Sequence, residues 1–112
     1  MKRYEIVSYQ TELGETPFQA WLEDLKDAKA QTILLSRIER AAGGLFGDWK
    51  PITGTSGLYE MRIHYGQGFR IFYAIKGEKI VLLLAGSTKQ TQDKAIAAAK
   101  VRLADYIRRT KP

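Results

Sequence analysis

Two neighbouring stretches of this chain combine alternating apolar residues with basic side chains. Arg62 and His64 belong to the first stretch, residues 58–64, and Arg70 belongs to the second, residues 69–75. Guanidinium groups bind phosphate oxygens through paired hydrogen bonds, and imidazole is the side chain that most often transfers protons in catalysis. Held on a rigid sheet, these groups suit the binding of a polyanion and chemistry upon it.

The spacing of the apolar residues predicts that these basic side chains share one face of a sheet. Successive strand residues point to opposite faces, so Ile63 faces one way and Arg62 and His64 the other. The Gly-Gln-Gly loop at residues 66–68 has an odd length, which predicts a hairpin with Ile63 opposite Ile71. The face opposite to this apolar pair then carries three basic residues: Arg62, His64 and Arg70.

A third strand is predicted over residues 79–85. It is apolar on both faces, which favours an internal position with both faces covered. A two-residue turn before it would place Arg70 opposite Ala85. Lys89 follows the end of this strand, and Lys50 belongs to the long loop over residues 45–57. We therefore expect both lysines to lie near the two arginines.

Three further charged residues accompany this predicted basic face. Glu60 alternates with Arg62 on the same strand face, where its carboxylate is expected to orient an arginine. Arg37 and Arg40 lie on the flank of a predicted helix. They are either solvated or paired with acidic neighbours, or they add phosphate contacts to the site.

Composition narrows the chemistry that the chain can perform. Its 112 residues predict a single domain, residues 1–112, with a core of its own. The absence of cysteine excludes disulfides, thiol nucleophiles and cysteine metal sites, and the single histidine argues against a multi-histidine site. We therefore expect no metal and no cofactor. The net charge of +6 favours phosphate-rich or acidic partners.

The sequence predicts a protein outside the membrane. Its longest apolar run, residues 80–85, is far too short to span a bilayer. The first nine residues carry two positive charges but lack the apolar region of a signal peptide. A soluble, cytoplasmic protein is expected.

The elements that must position these residues follow from periodicity and capping. Thr16-Pro17 marks a helix start, and Gly43-Gly44 marks the end of a second helix. In chain order, the sequence predicts a strand over residues 2–9, a helix from 17, a helix from 28 to 42, an ordered loop over 45–57, strands over 57–64, 69–75 and 79–85, and a helix over 91–109.

With these residues, the chain resembles the RelE/ParE toxin superfamily of bacterial toxin–antitoxin modules. It is most similar to the HigB-like branch, the phage-derived addiction module killer proteins. The matching segments occur in the order that the family shows: Phe18-Gln-Ala-Trp-Leu, Arg37-Ile-Glu-Arg40, Gly47-Asp-Trp-Lys50, Gly57-Leu-Tyr-Glu-Met-Arg62, Gly68-Phe-Arg-Ile-Phe-Tyr-Ala74 and Leu82-Leu-Leu-Ala-Gly-Ser-Thr-Lys-Gln-Thr91.

The resemblance implies an α+β fold. Its RelE-like βααβββ core would have a C-terminal helix and a mostly antiparallel four-stranded sheet packed on two N-terminal helices. It also implies a ribosome-dependent mRNA endonuclease that works without metal in the ribosomal A site, among mRNA and ribosomal RNA. A HigA-like helix-turn-helix antitoxin would be the protein partner, and operator DNA would be contacted only through it.

The same resemblance implies roles for individual residues. Arg62 and Arg70 would clamp the scissile phosphate, while the RNA 2′-OH attacks it and leaves a 2′,3′-cyclic phosphate. Lys89 occupies the family's C-terminal active-site position, so the general acid would be Lys89 or His64. Lys50 lies at the position of the family's basic loop and would bind backbone phosphate.

Two other functions are compatible with the sequence. A ParE-like toxin on the same fold would bind DNA gyrase and would need no catalytic residues. A non-catalytic RNA-binding module would bind RNA through a broad basic surface and leave it intact. Clustering of the basic residues in one concavity favours the nuclease, and scattering favours the gyrase inhibitor.

Overall fold

The chain folds as a mixed α+β structure, described here for residues 3–112 from a computed structural model. The elements are β1 (Glu5–Ser8), α1 (Pro17–Glu23), α2 (Ala28–Ala42), β2 (Trp49–Pro51), β3 (Tyr59–Ile63), β4 (Phe69–Lys76), β5 (Ile80–Thr88), a 3-10 turn (Lys89–Thr91) and α3 (Gln92–Thr110). The strand predicted over residues 2–9 is therefore found over Glu5–Ser8, and Lys2 lies outside the described residues. The order βααβββ with a C-terminal helix is correct apart from one additional strand.

The sheet has five strands rather than the predicted four. Its order is β1-β5-β4-β3-β2; β1 runs parallel to β5, and the other neighbours are antiparallel. The additional strand is β2, which the sequence predicted as part of a loop. Its Trp49 ring lies 5.9 Å from that of Tyr59 on β3. Because β2 is an edge strand, Pro51 can end it without removing a ladder bond inside the sheet.

The register of the β3–β4 hairpin differs from the prediction by two residues. Ile63 lies opposite Phe69, and Met61 lies opposite Ile71. Pairing ends at Ile63, so the connection spans residues 64–68 instead of three residues. A shift of two preserves the face of every side chain, since the strand period is two. The predicted sharing of a face is therefore confirmed for Arg62 and Arg70, whereas His64 lies in the connection, beyond the end of β3.

The β4–β5 pairing also differs from the prediction. Arg70 lies opposite Ser87, not Ala85. The connecting turn has three residues, 77–79, where two were predicted. A bulge between Phe72 and Tyr73 shifts the pairs farther from the turn by one more residue. The predicted internal position of β5 is correct, since its Val81–Ala85 stretch is buried between β1 and β4.

Helices cover both faces of the sheet. The predicted packing on the two N-terminal helices is confirmed for one face, where Phe18, Leu34 and Ile38 contact Met61 and Ile71 in a single core. On the other face, α3 forms a second core with the sheet. Its principal members are Phe72, Leu82, Leu84, Ala95, Ala99 and Leu103. In the part of the chain that the structure describes, no helix is long and apolar enough to cross a membrane.

Close packing of α1 on β5 predicts a strong effect of a single methyl group. A Cβ atom at Gly86 would lie only 2.1 Å from Cε3 of Trp21. We expect Gly86→Ala to destabilise the fold by about 1–3 kcal/mol, as overpacking does, and to lower the melting temperature by several degrees. Gly43→Ala is the matched control, since its Cβ would meet the nearest atom at 3.4 Å. Equal melting temperatures for the two variants would contradict this packing.

The C-terminal end of α3 is tied to the N-terminal segment through Asp105. Its carboxylate accepts hydrogen bonds from Tyr9 Oη at 2.6 Å and from Arg109 Nε at 2.9 Å, and it also pairs with Arg108. The hydrogen bond from Tyr9, followed by those from Arg108 and Arg109, lowers the pKa of Asp105 to about 2. The ionised form of this carboxylate is therefore favoured in the folded state.

This depressed pKa predicts a pH-dependent contribution to stability. A folded-state value below the unfolded value of about 4 means that the stabilisation is complete above pH 4 and lost as the pH falls towards 2. We expect Asp105→Asn to lower the melting temperature at neutral pH, with a difference from wild type that shrinks across that acidic window. Thermal unfolding at a series of pH values measures this. Asp24→Asn, at an exposed carboxylate, is the control, and a pH-independent difference for Asp105→Asn would contradict the assignment.

Candidate functional site

A basic cavity lies on the α3 face of the sheet, over β2, β3 and β4. Its volume is about 270 Å³, and the first turns of α3 close one side of it with Gln92 and Ile96. The charged side chains that line it are Lys50, Glu60, Arg62 and Arg70. Strand alternation places apolar and charged residues on opposite faces of the sheet. Four residues that the sequence predicted for the site therefore line this one cavity.

Arg62 and Arg70 lie directly opposite each other on neighbouring antiparallel strands. Like charges at such a position repel, so each must be offset by an anion. Arg62 lies 3.0 Å from Asp48 Oδ1, and Arg70 lies 3.6 Å from Glu60 Oε2. The side chain of Arg70 is only 14% exposed, whereas that of Arg62 is 32% exposed. The pair presents two guanidinium groups with donors left over at the wall of one cavity.

Unmet hydrogen-bonding capacity flanks Arg70 along the same row of the sheet. Arg62 Nε and Ser87 Oγ are buried and have no hydrogen-bond partner among the described residues. Both residues are register neighbours of Arg70, one on each adjacent strand. Buried polar atoms are nearly always satisfied in folded proteins, by protein groups or by ordered water, so we expect a water or another polar group to contact these two atoms. Ser87 was not among the residues that the sequence predicted.

Glu60 connects Lys50 to Arg70. β2 places Lys50 opposite Glu60, whose side chain is only 4% exposed. The two carboxylate oxygens lie 3.6 Å from Lys50 Nζ and 3.6 Å from Arg70 NH1. A carboxylate is costly to bury unless cations compensate it, so this arrangement fixes the position of both basic groups. Glu60 thus contacts an arginine, as its predicted orienting role requires, and that role stays a prediction.

Asp48 is a site residue that sequence reasoning missed. Its Oδ2 lies 2.6 Å from His64 Nε2, its Oδ1 lies 3.0 Å from Arg62, and its main-chain oxygen accepts from Arg62 N at 2.8 Å. The hydrogen bond with His64, followed by that from Arg62, lowers the pKa of Asp48. Recognition of β2 as a strand would have revealed Asp48, since it precedes Lys50 by two residues and so shares its face.

Lys89 and His64 lie close to the connection that joins β3 to β4. Lys89 is exposed in the 3-10 turn after β5. A Cβ atom added at Gly68 would lie 3.8 Å from the Cβ of Lys89, so the two residues are close together. His64 begins the same connection, and its side chain is 73% exposed. Neither residue belongs to the lining of the cavity. The structure therefore places them at the end of the sheet where β3 joins β4, and not in the lining of the cavity.

Arg37 and Arg40 do not reach the cavity, because α2 packs on the opposite face of the sheet. Arg37 donates to the main-chain oxygens of Arg62 and Phe46, both at 3.3 Å. Gly47 makes room for this contact, since a Cβ there would lie 2.2 Å from Arg37 NH2. Arg40 is exposed on the outer side of α2. The guanidinium of Arg37 thus ties the helix to the sheet edge.

Within residues 3–112, no group of three or more acidic or histidine side chains is arranged to hold a metal ion. The charged groups of the site pair with one another in two sets, one centred on Glu60 and the other on Asp48. The arrangement can bind an anion between Arg62 and Arg70. It also holds an imidazole against a carboxylate, which is an arrangement suited to proton transfer.

Comparison with known proteins gives the class to which this fold and site belong. The family described as Phage derived protein Gp49-like (DUF891) matches residues 20–108, a span that includes every residue of the site. An uncharacterized protein of Haemophilus influenzae is 40% identical over 84 residues, which cover 75% of this chain and 83% of that protein. The chain therefore belongs to the Gp49-like phage-derived protein family, which is a family of the toxin–antitoxin type.

Proposed function

We propose that this protein is the toxin of a type II toxin–antitoxin module, of the HigB-like branch of the RelE superfamily. In this proposal it inhibits translation by cleaving mRNA in the ribosomal A site. The observation that carries the proposal is the pair of arginines, Arg62 and Arg70, facing each other across two strands at the wall of a shared cavity. Membership of a toxin–antitoxin-type family and the net charge of +6 support it.

The proposed reaction places the scissile phosphate between Arg62 and Arg70. The 2′-oxygen forms a bond to phosphorus, and the bond from phosphorus to the 5′-oxygen breaks, which leaves a 2′,3′-cyclic phosphate. Negative charge builds up on the phosphoryl oxygens in the transition state, where two guanidinium groups stabilise it. Glu60 holds Arg70 in position, and Lys50 provides a further positive charge for the RNA backbone.

Proton transfer in this reaction is assigned to His64 and Lys89. His64 is held by Asp48 through Nε2, so its other ring nitrogen can accept the proton of the 2′-OH. Lys89 lies close to the same connection, beside Gly68, and can protonate the departing 5′-oxygen. These two steps balance, since one proton is removed and one is supplied.

The proposed partners follow from the proposed function. A HigA-like helix-turn-helix antitoxin would neutralise the toxin in the cytoplasm, and operator DNA would be contacted only through that antitoxin. The exposed Lys50 and Lys89 would contact mRNA and ribosomal RNA around the cavity.

One observation favours a different function. Lys89 lies outside the cavity lining, and a ParE-like inhibitor of DNA gyrase needs no proton donor beside the arginines. In that case the basic surface would bind a protein, and RNA would stay intact.

Primer extension distinguishes these functions. The purified protein is added to ribosomes programmed with a defined mRNA, and gyrase supercoiling is assayed in parallel. Cleavage within the A-site codon, with supercoiling unaffected, is the expected result. Inhibition of supercoiling with intact mRNA would establish the gyrase inhibitor instead. Binding of RNA without cleavage, and with steep salt dependence, would establish an RNA-binding module.

A further inference from the structure

The second half of β5 has a strand neighbour on one side only. β1 pairs with β5 from Ile80 to Leu83 and then ends, whereas β4 pairs with β5 as far as Thr88. Tyr9 N still donates to the oxygen of Leu83, after which the chain turns away. Residues 85–88 therefore form an open sheet edge among the described residues, whereas the oxygen of Leu84 is bound by Arg102. Such an edge is a template for a further strand.

Two helices make this edge the floor of a groove. Trp21 of α1 forms one wall, and Ala98 and Arg102 of α3 form the other. The groove encloses about 490 Å³ and reaches the main chain of β5 at Gly86. Small side chains, Ala95 and Ala98, line part of the α3 side of this groove. A strand added to β5 would lie at the usual spacing of about 4.8 Å. Side chains of that strand would alternate between the two helices.

The groove is basic and lacks a compensating acid. Lys94 and Arg102 line it, and no acidic residue does so. Arg102 NH1 donates to the oxygen of Leu84 at 2.7 Å, which anchors the guanidinium at the open edge. None of the ion pairs among the described residues includes Arg102. Its remaining donors are available to a carboxylate.

We propose that this groove binds an extended, acidic segment of a partner protein. The segment adds a strand beside residues 85–88, past the end of β1 at Ser8. Main-chain hydrogen bonds to the open edge provide affinity, as in other cases of strand addition. Acidic side chains that reach Lys94 and Arg102 provide selectivity. The groove lies at the outer edge of β5, away from the cavity over β2, β3 and β4, so the proposal does not depend on the proposed reaction.

Selection of peptides against the full chain tests this proposal. A library of short random peptides displayed on phage is enriched on the immobilised protein, and the selected peptides are synthesised. We expect acidic sequences rich in β-branched residues, which slow amide hydrogen exchange at residues 85–88 on binding. Failure to enrich peptides, or enrichment of peptides that are not acidic or that protect another surface, would overturn the proposal.

Two matched pairs of variants complete the test. Ala98→Trp fills the groove, while Ala97→Trp places the same side chain on the exposed side of α3. Lys94→Glu reverses a charge in the groove, while Lys100→Glu reverses one outside it. We expect Ala98→Trp and Lys94→Glu to weaken peptide binding at least about tenfold, or 1.4 kcal/mol. Circular dichroism confirms folding, and equal binding within the lysine pair would overturn the proposal even if Ala98→Trp fails to fold.

Discussion

Replacement of Arg70 with alanine is expected to lower the rate of mRNA cleavage about 100- to 1,000-fold, which is the usual cost of removing one preorganised donor from a developing negative charge. The side chain of Arg70 is the less exposed of the two arginines, and the buried carboxylate of Glu60 fixes its position. Arg70→Lys retains the charge but not the forked geometry, so we expect an intermediate rate.

Single-turnover cleavage on programmed ribosomes measures this effect. Arg108→Ala is the matched control, because it removes an exposed arginine from the far end of α3. We expect the control to cleave at the wild-type rate. A folded Arg70→Ala variant that cleaves as fast as the control would refute the assignment of Arg70 to the phosphate.

Replacement of Asp48 with asparagine is expected to lower cleavage about 10- to 100-fold, because a misplaced catalytic group commonly costs a factor of this size. The carboxylate contacts His64 at 2.6 Å and Arg62 at 3.0 Å, so its neutralisation releases both. Asp48 acts through these two residues and is a positioning residue. We therefore expect the loss in kcat to exceed any rise in KM.

A double-mutant cycle separates this role from a merely structural one. If Asp48 acts through His64, Asp48→Asn should lower the cleavage rate less in a His64→Ala background than in the wild-type background. Glu39→Gln, at an exposed acid on α2, is the control and should have no effect in either background. Equal losses in the two backgrounds would show that Asp48 does not act through His64.

The sequence was sufficient to predict which residues share a face of the sheet. Strand alternation placed Glu60, Arg62 and Arg70 together, and an error of two residues in register left that result unchanged. The pairing of Arg70 with Ser87 could not be predicted, because it depends on a bulge between Phe72 and Tyr73. A bulge arises from packing on both faces of the sheet, which a local pattern does not encode.

The strand β2 and the role of Asp48 escaped sequence reasoning for a related reason. Three residues, Trp-Lys-Pro, are too few to show a period of two, and glycine and proline surround them. Trp49 packs on Tyr59 only after the chain has folded back onto β3. The pairing of β2 with β3 also brings Asp48 into contact with Arg62 and His64. These contacts could therefore not be predicted from the sequence.

The contacts of the Arg37 side chain also depend on tertiary structure. Its position on a helix flank is compatible with solvent, with an acidic partner or with phosphate. The structure instead directs it to two main-chain oxygens beside Gly47, whose φ of +63° lets the chain turn there. A side chain that binds main-chain oxygens needs no acidic partner residue, so such a contact cannot be predicted from the pattern of charges in the sequence.

The most direct test of the proposed function concerns the RNA 2′-OH, on which the proposed reaction depends. Ribosomes are programmed with two mRNAs that differ only by a 2′-O-methyl group on the A-site nucleotide where cleavage occurs. We expect the unmodified mRNA to be cleaved to a product that ends in a 2′,3′-cyclic phosphate, and the methylated mRNA to stay intact. Cleavage of both mRNAs, or of neither, would contradict the proposal that this basic cavity cleaves RNA through its own 2′-OH.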